Sequence, residues 1–175
     1  LGNRERQLAC KIYASARNLE QLQGRFPVVG LADKLQFLEQ DVTQAWGYLD
    51  ICPEYIIHAA SGADPRSMYE QPVEVIRANV EGTRMLLDIL RKSGRGHLLY
   101  LSSGEVYGET GNVAALGEQD FGRCDQTSVR SCYPLSKRLA ESLCLSYVHE
   151  YGVEAVVARP AHTYGPTHTA KDSHS

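Results

Sequence analysis

Residues 72–103 read PVEVIRANVEGTRMLLDILRKSGRGHLLYLSS, a long helical pattern followed almost at once by a short apolar block. Ile76, Val80, Thr83, Leu87 and Leu90 recur at helical spacing and predict a stripe that lies on a sheet. Pro72 suits the first turn of such a helix, where its missing N–H costs nothing, and Gly94 suits its C-terminal stop. His97–Ser103 (HLLYLSS) then predicts a strand. Its apolar residues run together rather than alternate, which is the pattern of a parallel strand covered on both faces.

The same alternation extends in both directions. Ala9–Ala16, Leu35–Glu39, Tyr55–Ala60 and Glu154–Pro160 are further apolar, strand-like blocks. Helical patterns fall between them at Asn18–Gly24, Thr43–Leu49 and Ser131–Tyr151, the last with Pro134 confined to its first turn. Strands alternating with helices predict an α/β fold: part of a doubly wound, Rossmann-like parallel sheet with helices on both faces. One incomplete domain over 1–166 is expected, with a polar tail at 167–175 expected to be disordered. Gly108–Arg130 is a long polar loop without periodicity, and loops of that length are often functional.

Composition narrows the classes of partner. The 175 residues carry 18 Lys and Arg against 21 Asp and Glu, a net charge of −3, which offers no broad basic footprint for nucleic acid. No apolar run approaches the ~20 residues that span a bilayer, so neither a membrane nor a nucleic acid is expected as partner. The five cysteines (Cys10, Cys52, Cys124, Cys132 and Cys144) include no CxxC pair, which predicts reduced thiols in a cytoplasmic protein and no metal site.

Chemistry concentrates in two segments. Tyr133-Pro-Leu-Ser-Lys137 places a phenol and an ammonium four residues apart, hence on one helix face. A cation near the phenol favours phenolate and is expected to lower a pKa that is ordinarily ~10. Ser102-Ser103 ends a parallel strand, where α/β sheets place their ligands.

In this setting the chain resembles the extended short-chain dehydrogenase/reductase family, the sugar-nucleotide epimerases and dehydratases. The resemblance rests on Gln40-Asp41-Val42, Ile57-His58-Ala59-Ala60, Ala78–Thr83 (ANVEGT), Ser102–Gly108 (SSGEVYG), Tyr133–Lys137 (YPLSK) and Arg159–Pro166 (RPAHTYGP). It implies Tyr133 as acid/base, Lys137 as the group that holds the nicotinamide ribose, and Ser103 on the same substrate oxygen. Asp41 and Val42 would meet the adenine, and Asn79 would be structural. Ser15, Arg17, Ala59, Ala60, Ser102 and Pro160 would complete the cofactor site, and His162 would touch the substrate's phosphates. The family's NAD-preferring members place an Asp where this chain has Ser15 and Arg17, so the implied cofactor is NAD or NADP. Glu105 matches a base found in members that dehydrate or decarboxylate. Gly104 stands where dehydratases of deoxythymidine sugars carry an Asp, which speaks against that subtype.

The resemblance further implies a nucleotide-sugar substrate and a homodimer through the two long helices. The family's glycine-rich turn is absent: the GxG at Gly94-Arg95-Gly96 follows a helix and precedes a strand, the wrong order for phosphate binding. The chain therefore reads as an internal portion of an NAD(P)-dependent epimerase, dehydratase or decarboxylase, with a central strand of the sheet lost and apolar edges exposed. Two alternatives remain open at this point: a non-catalytic Rossmann-like remnant and an NADP-dependent carbonyl reductase. The latter shares Ser103, Tyr133 and Lys137 but has no need of Glu105.

Overall fold

A computed structural model describes residues 10–25, 34–46, 52–111 and 115–161. In chain order the elements are β1 (Ile12–Ala16), α1 (Leu19–Arg25), β2 (Leu35–Glu39), β3 (Tyr55–His58), α2 (Pro65–Glu70), α3 (Pro72–Ser93), β4 (His97–Leu101), α4 (Cys132–Tyr151) and β5 (Glu154–Ala158). Short 3-10 turns occupy Gly104–Tyr107 and Val129–Ser131. All five strands are parallel to their neighbours, in a two-stranded sheet β1-β2 and a three-stranded sheet β3-β4-β5. The expected α/β class and Rossmann-like layering are present.

Burial alternates along the central strand as the pleat requires. Leu98 and Tyr100 point into a core with Leu86, Leu87 and Leu90 of α3 and Ala140, Cys144 and Tyr147 of α4. Each fully buried Leu there contributes roughly 1.5–3 kcal/mol. On the opposite face of the same sheet, among the described residues, Ile57 is 67% and Val156 65% exposed. Both long helices close as expected: Gly94 and Gly152 adopt left-handed φ of 65° and 69°, and their N–H groups bond Leu90 O and Val148 O.

Three expectations change. The helix expected at Thr43–Leu49 does not form over Thr43–Trp46, and residues 47–49 lie outside the described set. Asp41 accepts from the Thr43 N–H at 2.8 Å and the Thr43 hydroxyl at 2.7 Å, and this local turn competes with helix. The buried stripe of α3 keeps Thr83, Leu87 and Leu90 as expected but is wider toward Val75, Asn79, Gly82 and Leu86, while Ile76 is exposed. Polar Asn79 wins its inward place because its Nδ2 donates to Ser136 Oγ on α4 at 2.9 Å, a partner no periodicity reveals. The loop from Gly108 to Arg130 is also more ordered than its composition suggests. Glu109 and Arg123 form an antiparallel bridge, and Gly122 N–H donates to Tyr107 O at 2.7 Å. The tail at 167–175 lies outside the described residues.

Gly82 is where α3 meets the turn after β2. A Cβ there would stand 2.8 Å from Val42 Cγ1 and 3.1 Å from Cγ2, inside contact distance of a stiff β-branched side chain. Gly82→Ala is expected to destabilise the protein by about 1–3 kcal/mol despite the better helix propensity of Ala. Urea denaturation of the two proteins checks this, and an unchanged or raised midpoint would contradict it.

Candidate functional site

The site is assembled where the parallel strands end. Past β4 the backbone continues the ladder: Ser102 N–H donates to Ala158 O at 2.7 Å and Gly104 N–H to Pro160 O at 3.0 Å. This carries Ser103 to the rim of the sheet. There its hydroxyl accepts from Glu105 N–H at 3.2 Å and caps the Gly104–Tyr107 turn. From the other side, the Val129–Ser131 turn leads into α4, with Tyr133 in its first turn and Lys137 one turn further. The Lys137 Nζ lies 5.7 Å from the Tyr133 ring centre and donates to Leu101 O, the last carbonyl of β4, at 2.7 Å. Ser103, Glu105, Tyr133 and Lys137, four candidates spread over 35 residues of sequence, thus converge at one strand end.

Burial dominates the electrostatics. Lys137, only 2% exposed, is pushed down to about 8 by loss of solvent, with the Glu141 carboxylate acting in the opposite direction. Tyr133 is raised above its ordinary range, again by burial; the Ser103 hydroxyl and Arg130 pull it down and Glu105 pushes it further up. The lowering of the phenol expected from Lys137 is therefore not seen: what pulls Tyr133 down comes from Ser103 and Arg130, and burial prevails. His58, at the end of β3 and almost fully buried, is pushed down to about 4 by burial and by the Lys137 charge, against a hydrogen bond to the Ala78 backbone.

The candidate cofactor residues occupy the carboxyl ends of successive strands. Ser15 and Arg17 close β1 and are exposed; Gln40 N–H donates to Ala16 O at 3.0 Å and brings the Asp41-Val42 turn beside them. Asp41 is held below the usual carboxylate range: burial raises it, but both bonds from Thr43 and the charges of Arg17 and Arg77 prevail. Both Thr43 bonds fall on Oδ1, so Oδ2 has no protein donor among the described residues. Ala59 and Ala60 follow β3 and are exposed, Ser102 follows β4 with its buried Oγ unpartnered, and Pro160 follows β5. An adenine-type donor suits Asp41 Oδ2. The two N–H groups of Lys137 not spent on Leu101 O suit ribose hydroxyls, so the two ends of a nicotinamide dinucleotide fit. His162 lies outside the described residues.

Sequence reasoning missed the residues that hold these segments together. Arg130 Nη2 sits 2.9 Å from both carboxylate oxygens of Glu105 and ties the two halves of the site. Glu141, one turn beyond Lys137, receives a two-pronged contact from Arg159 at 2.9 and 2.7 Å. Arg159 also donates to Glu118 O at 2.8 Å, and Arg138 donates to Val106 O at 2.7 Å and Gly122 O at 2.9 Å. Both guanidiniums flank the Phe121 ring, at 5.5 Å and 5.0 Å from its centre. The only advance signal was spacing, since Glu141 continues the Tyr133–Lys137 face. Cys132 is buried with its thiol on Met68 O at 3.6 Å, and burial raises its pKa, so its place is structural.

Comparison with known proteins agrees with this fold. The family described as "NAD dependent epimerase/dehydratase family" matches residues 13–175. UDP-glucuronic acid decarboxylase 1 of Xenopus tropicalis is 32% identical over 134 residues, covering 77% of this chain and 31% of that protein. UDP-glucuronic acid decarboxylase 6 of Arabidopsis thaliana is 35% identical over 133 residues, covering 76% of this chain and 37% of that protein. This chain thus spans about a third of the length of these curated relatives. Among solved structures, a dTDP-glucose 4,6-dehydratase from Streptomyces venezuelae with NAD bound superposes with a TM-score of 0.73 at 21% identity, covering 93% of this chain and 50% of that one. RMD from Pseudomonas aeruginosa, complexed with NADPH, gives 0.64 at 25% identity, covering 92% and 57%.

The depressed Lys137 makes stability depend on pH. Between about 8, its folded value, and 10.5, its unfolded value, the unfolded chain binds more protons, so stability rises with pH across that window. The rise is expected to be on the order of a few kcal/mol and to be missing in Lys137→Met, although tyrosine ionisation opposes it in both proteins above ~10. Denaturation curves of the pair at several pH values measure the difference. A pH-independent gap between them would contradict a buried ammonium.

Proposed function

The chain belongs to the NAD dependent epimerase/dehydratase family, and on that premise we propose that it forms the cofactor-binding and acid–base part of a sugar-nucleotide decarboxylase acting on a UDP-linked uronic acid. The observation that carries this reading is Glu105. It stands two residues beyond Ser103 in the turn that faces Tyr133, and it is held by Arg130 at 2.9 Å. A carboxylate kept at that point is superfluous for simple carbonyl reduction and useful where a second proton must be moved. The names of the curated relatives above support the same choice. Gly104, which supplies no proton, counts against the dehydratase branch.

Bound NAD or NADP would supply a hydride acceptor and donor, held through Asp41 at one end and Lys137 at the other. The chain's own groups do the rest. Ser103 holds the reacting oxygen of the sugar, and Tyr133 takes its proton as the alcohol becomes a ketone. The phenolate that accepts this proton, on the first turn of α4, is favoured by the helix N-terminus and by the Lys137 charge. A carboxylate β to the new ketone can leave as carbon dioxide, its electron pair passing to the ketone oxygen, to which Tyr133 returns the proton. Glu105 then relays a proton from water to the adjacent carbon while the enol proton goes back to Tyr133, restoring a ketone for reduction. At neutral pH the raised phenol suits the donating half of this cycle.

Two further features belong to the reading. The outer faces of α3 and α4 present Val73, Ile76, Leu139, Leu145 and Val148 to solvent, a stripe that suits a homodimer built on these helices. Five free cysteines suit a reducing, cytoplasmic setting. Among the described residues no helix is long and apolar enough to cross a membrane.

The test is made in the enzyme that carries this chain, with UDP-glucuronate and carbon dioxide release as the readout. Tyr133→Phe is expected to lower kcat by ~10²–10⁴ while leaving cofactor affinity within a few fold. Glu105→Gln is expected to abolish sustained carbon dioxide release, because the carbon that lost its carboxylate is not reprotonated, yet still permit reduction of bound cofactor in a single turnover. Carbon dioxide release at the wild-type rate from Glu105→Gln would remove the decarboxylase assignment and favour epimerase or reductase chemistry. For the assembly, Leu139→Glu is expected to convert a dimer to a monomer in sedimentation; a monomeric parent protein would remove that part of the reading.

A further inference from the structure

Lys137 presents a physical difficulty. Its ammonium is almost wholly removed from water, and removing an unpaired charge from water is costly. Among the described residues no carboxylate lies within ion-pair distance of it. The nearest in chain, Glu141, spends both oxygens on Arg159, at 2.9 and 2.7 Å. One neutral acceptor, Leu101 O at 2.7 Å, is the only hydrogen bond it makes there. What remains around Nζ is aromatic: the Tyr100 ring centre at 4.8 Å and the Tyr133 ring at 5.7 Å. Tyr100 is fully buried on β4, and its ring is fixed from another side by His58, 5.5 Å away and tilted by 50°.

We propose that Tyr100 is a positioning residue of the candidate active site: the face of its buried ring holds the Lys137 ammonium in the charged form beside Tyr133. The negative face of an aromatic ring attracts a cation most strongly where water is excluded, as it is here. The geometry is dictated by the strand. Tyr100 and Leu101 are consecutive, so β4 offers the ammonium a ring face and a carbonyl from adjacent residues, and both are locked by the ladder to β3 and β5. The titratable groups around the ammonium are His58 on β3, Tyr100 on β4, and Tyr133 and Glu141 on α4. Burial keeps His58 neutral and keeps the Tyr100 hydroxyl protonated through the neutral range, so His58 adds no like charge and Tyr100 supplies no anionic one. The ring is thus what a merely hydrophobic residue at 100 could not replace. The proposal rests on the reading of Lys137 as part of the acid–base set, but it concerns only the charge state of that lysine.

The experiment reads that charge state directly. Phenylalanine and progressively fluorinated phenylalanines are placed at position 100, and the 15Nζ resonance of Lys137, assigned through Lys137→Arg, is titrated from neutral to alkaline pH. Tyr100→Phe is expected to match the wild type because the ring face is kept. Successive fluorines, which drain the ring face while barely changing its shape, are expected to lower the Lys137 midpoint step by step. The total shift should approach one pH unit, roughly tenfold in proton affinity. Tyr100→Leu, where it folds, is expected to give the full shift. A midpoint independent of fluorination would overturn the proposal, and so would a shift in Tyr100→Phe as large as that in Tyr100→Leu. Loss of the decarboxylase reading in the turnover assays leaves this titration intact, so the two failures are distinguishable.

Discussion

A lysine ammonium held out of water at the end of a parallel strand is the constraint around which this protein is organised. Lys137 reaches Leu101 O only if the first turns of α4 lie directly over the end of β4, and that placement is secured by α3. Asn79 on α3 donates to Ser136, the residue before Lys137, and the Thr83 hydroxyl donates back to Asn79 O. At the far end of the same helix pair, Tyr147 OH donates to Asp88 at 2.9 Å and Arg91 stacks on Tyr151 at 3.9 Å. The polar contacts near Asn79 sit in a low-dielectric interior, where a satisfied hydrogen bond is worth more and an unsatisfied one costs more. They specify the register of α3 against α4, and that register delivers Tyr133 and Lys137 to the rim.

The loop between the two halves of the site is governed by arginines. Arg138 and Arg159 spend their donors on backbone carbonyls of Val106, Gly122 and Glu118, groups that a loop without secondary structure would otherwise leave to water. Phe121 lies between the two guanidiniums, and the loop is thereby fastened to α4 and to the end of β5. The Arg130–Glu105 pair differs in kind. Both partners are about one-third to two-fifths exposed, and such pairs contribute roughly 0–1 kcal/mol to stability. Its importance is positional, because it joins the turn after Ser103 to the turn before Tyr133.

Much of this is legible in the sequence itself. The helix at Pro72–Ser93 was legible because Pro and Gly act locally, through a missing N–H and a permitted left-handed φ, and neither depends on distant residues. Each strand was legible as a compact apolar block, although the ends were trimmed: Ala59 and Ala60 lie exposed just past β3, and Ser102 and Ser103 just past β4, with Ser102 buried and bonded to Ala158 O. The Tyr133–Lys137 pairing followed from helical geometry alone. Family membership was legible from motif order, since that order is itself a property of the chain.

Two things were decided only by tertiary structure, because they depend on partners remote in sequence, and a third by a local competition that spacing did not reveal. The inward face of α3 is set by Asn79 meeting Ser136, 57 positions away, and by Gly82 clearing Val42, so hydrophobicity pointed to Ile76 instead. The turn at Asp41–Thr43 displaced a helix because side-chain acceptors outbid the backbone there. The electrostatics of the site came out opposite to the expectation for Tyr133 because proximity to a cation is a matter of spacing, whereas desolvation is a matter of what packs on top. A sequence states which charges are neighbours along a helix; only the folded chain states how much water they have left.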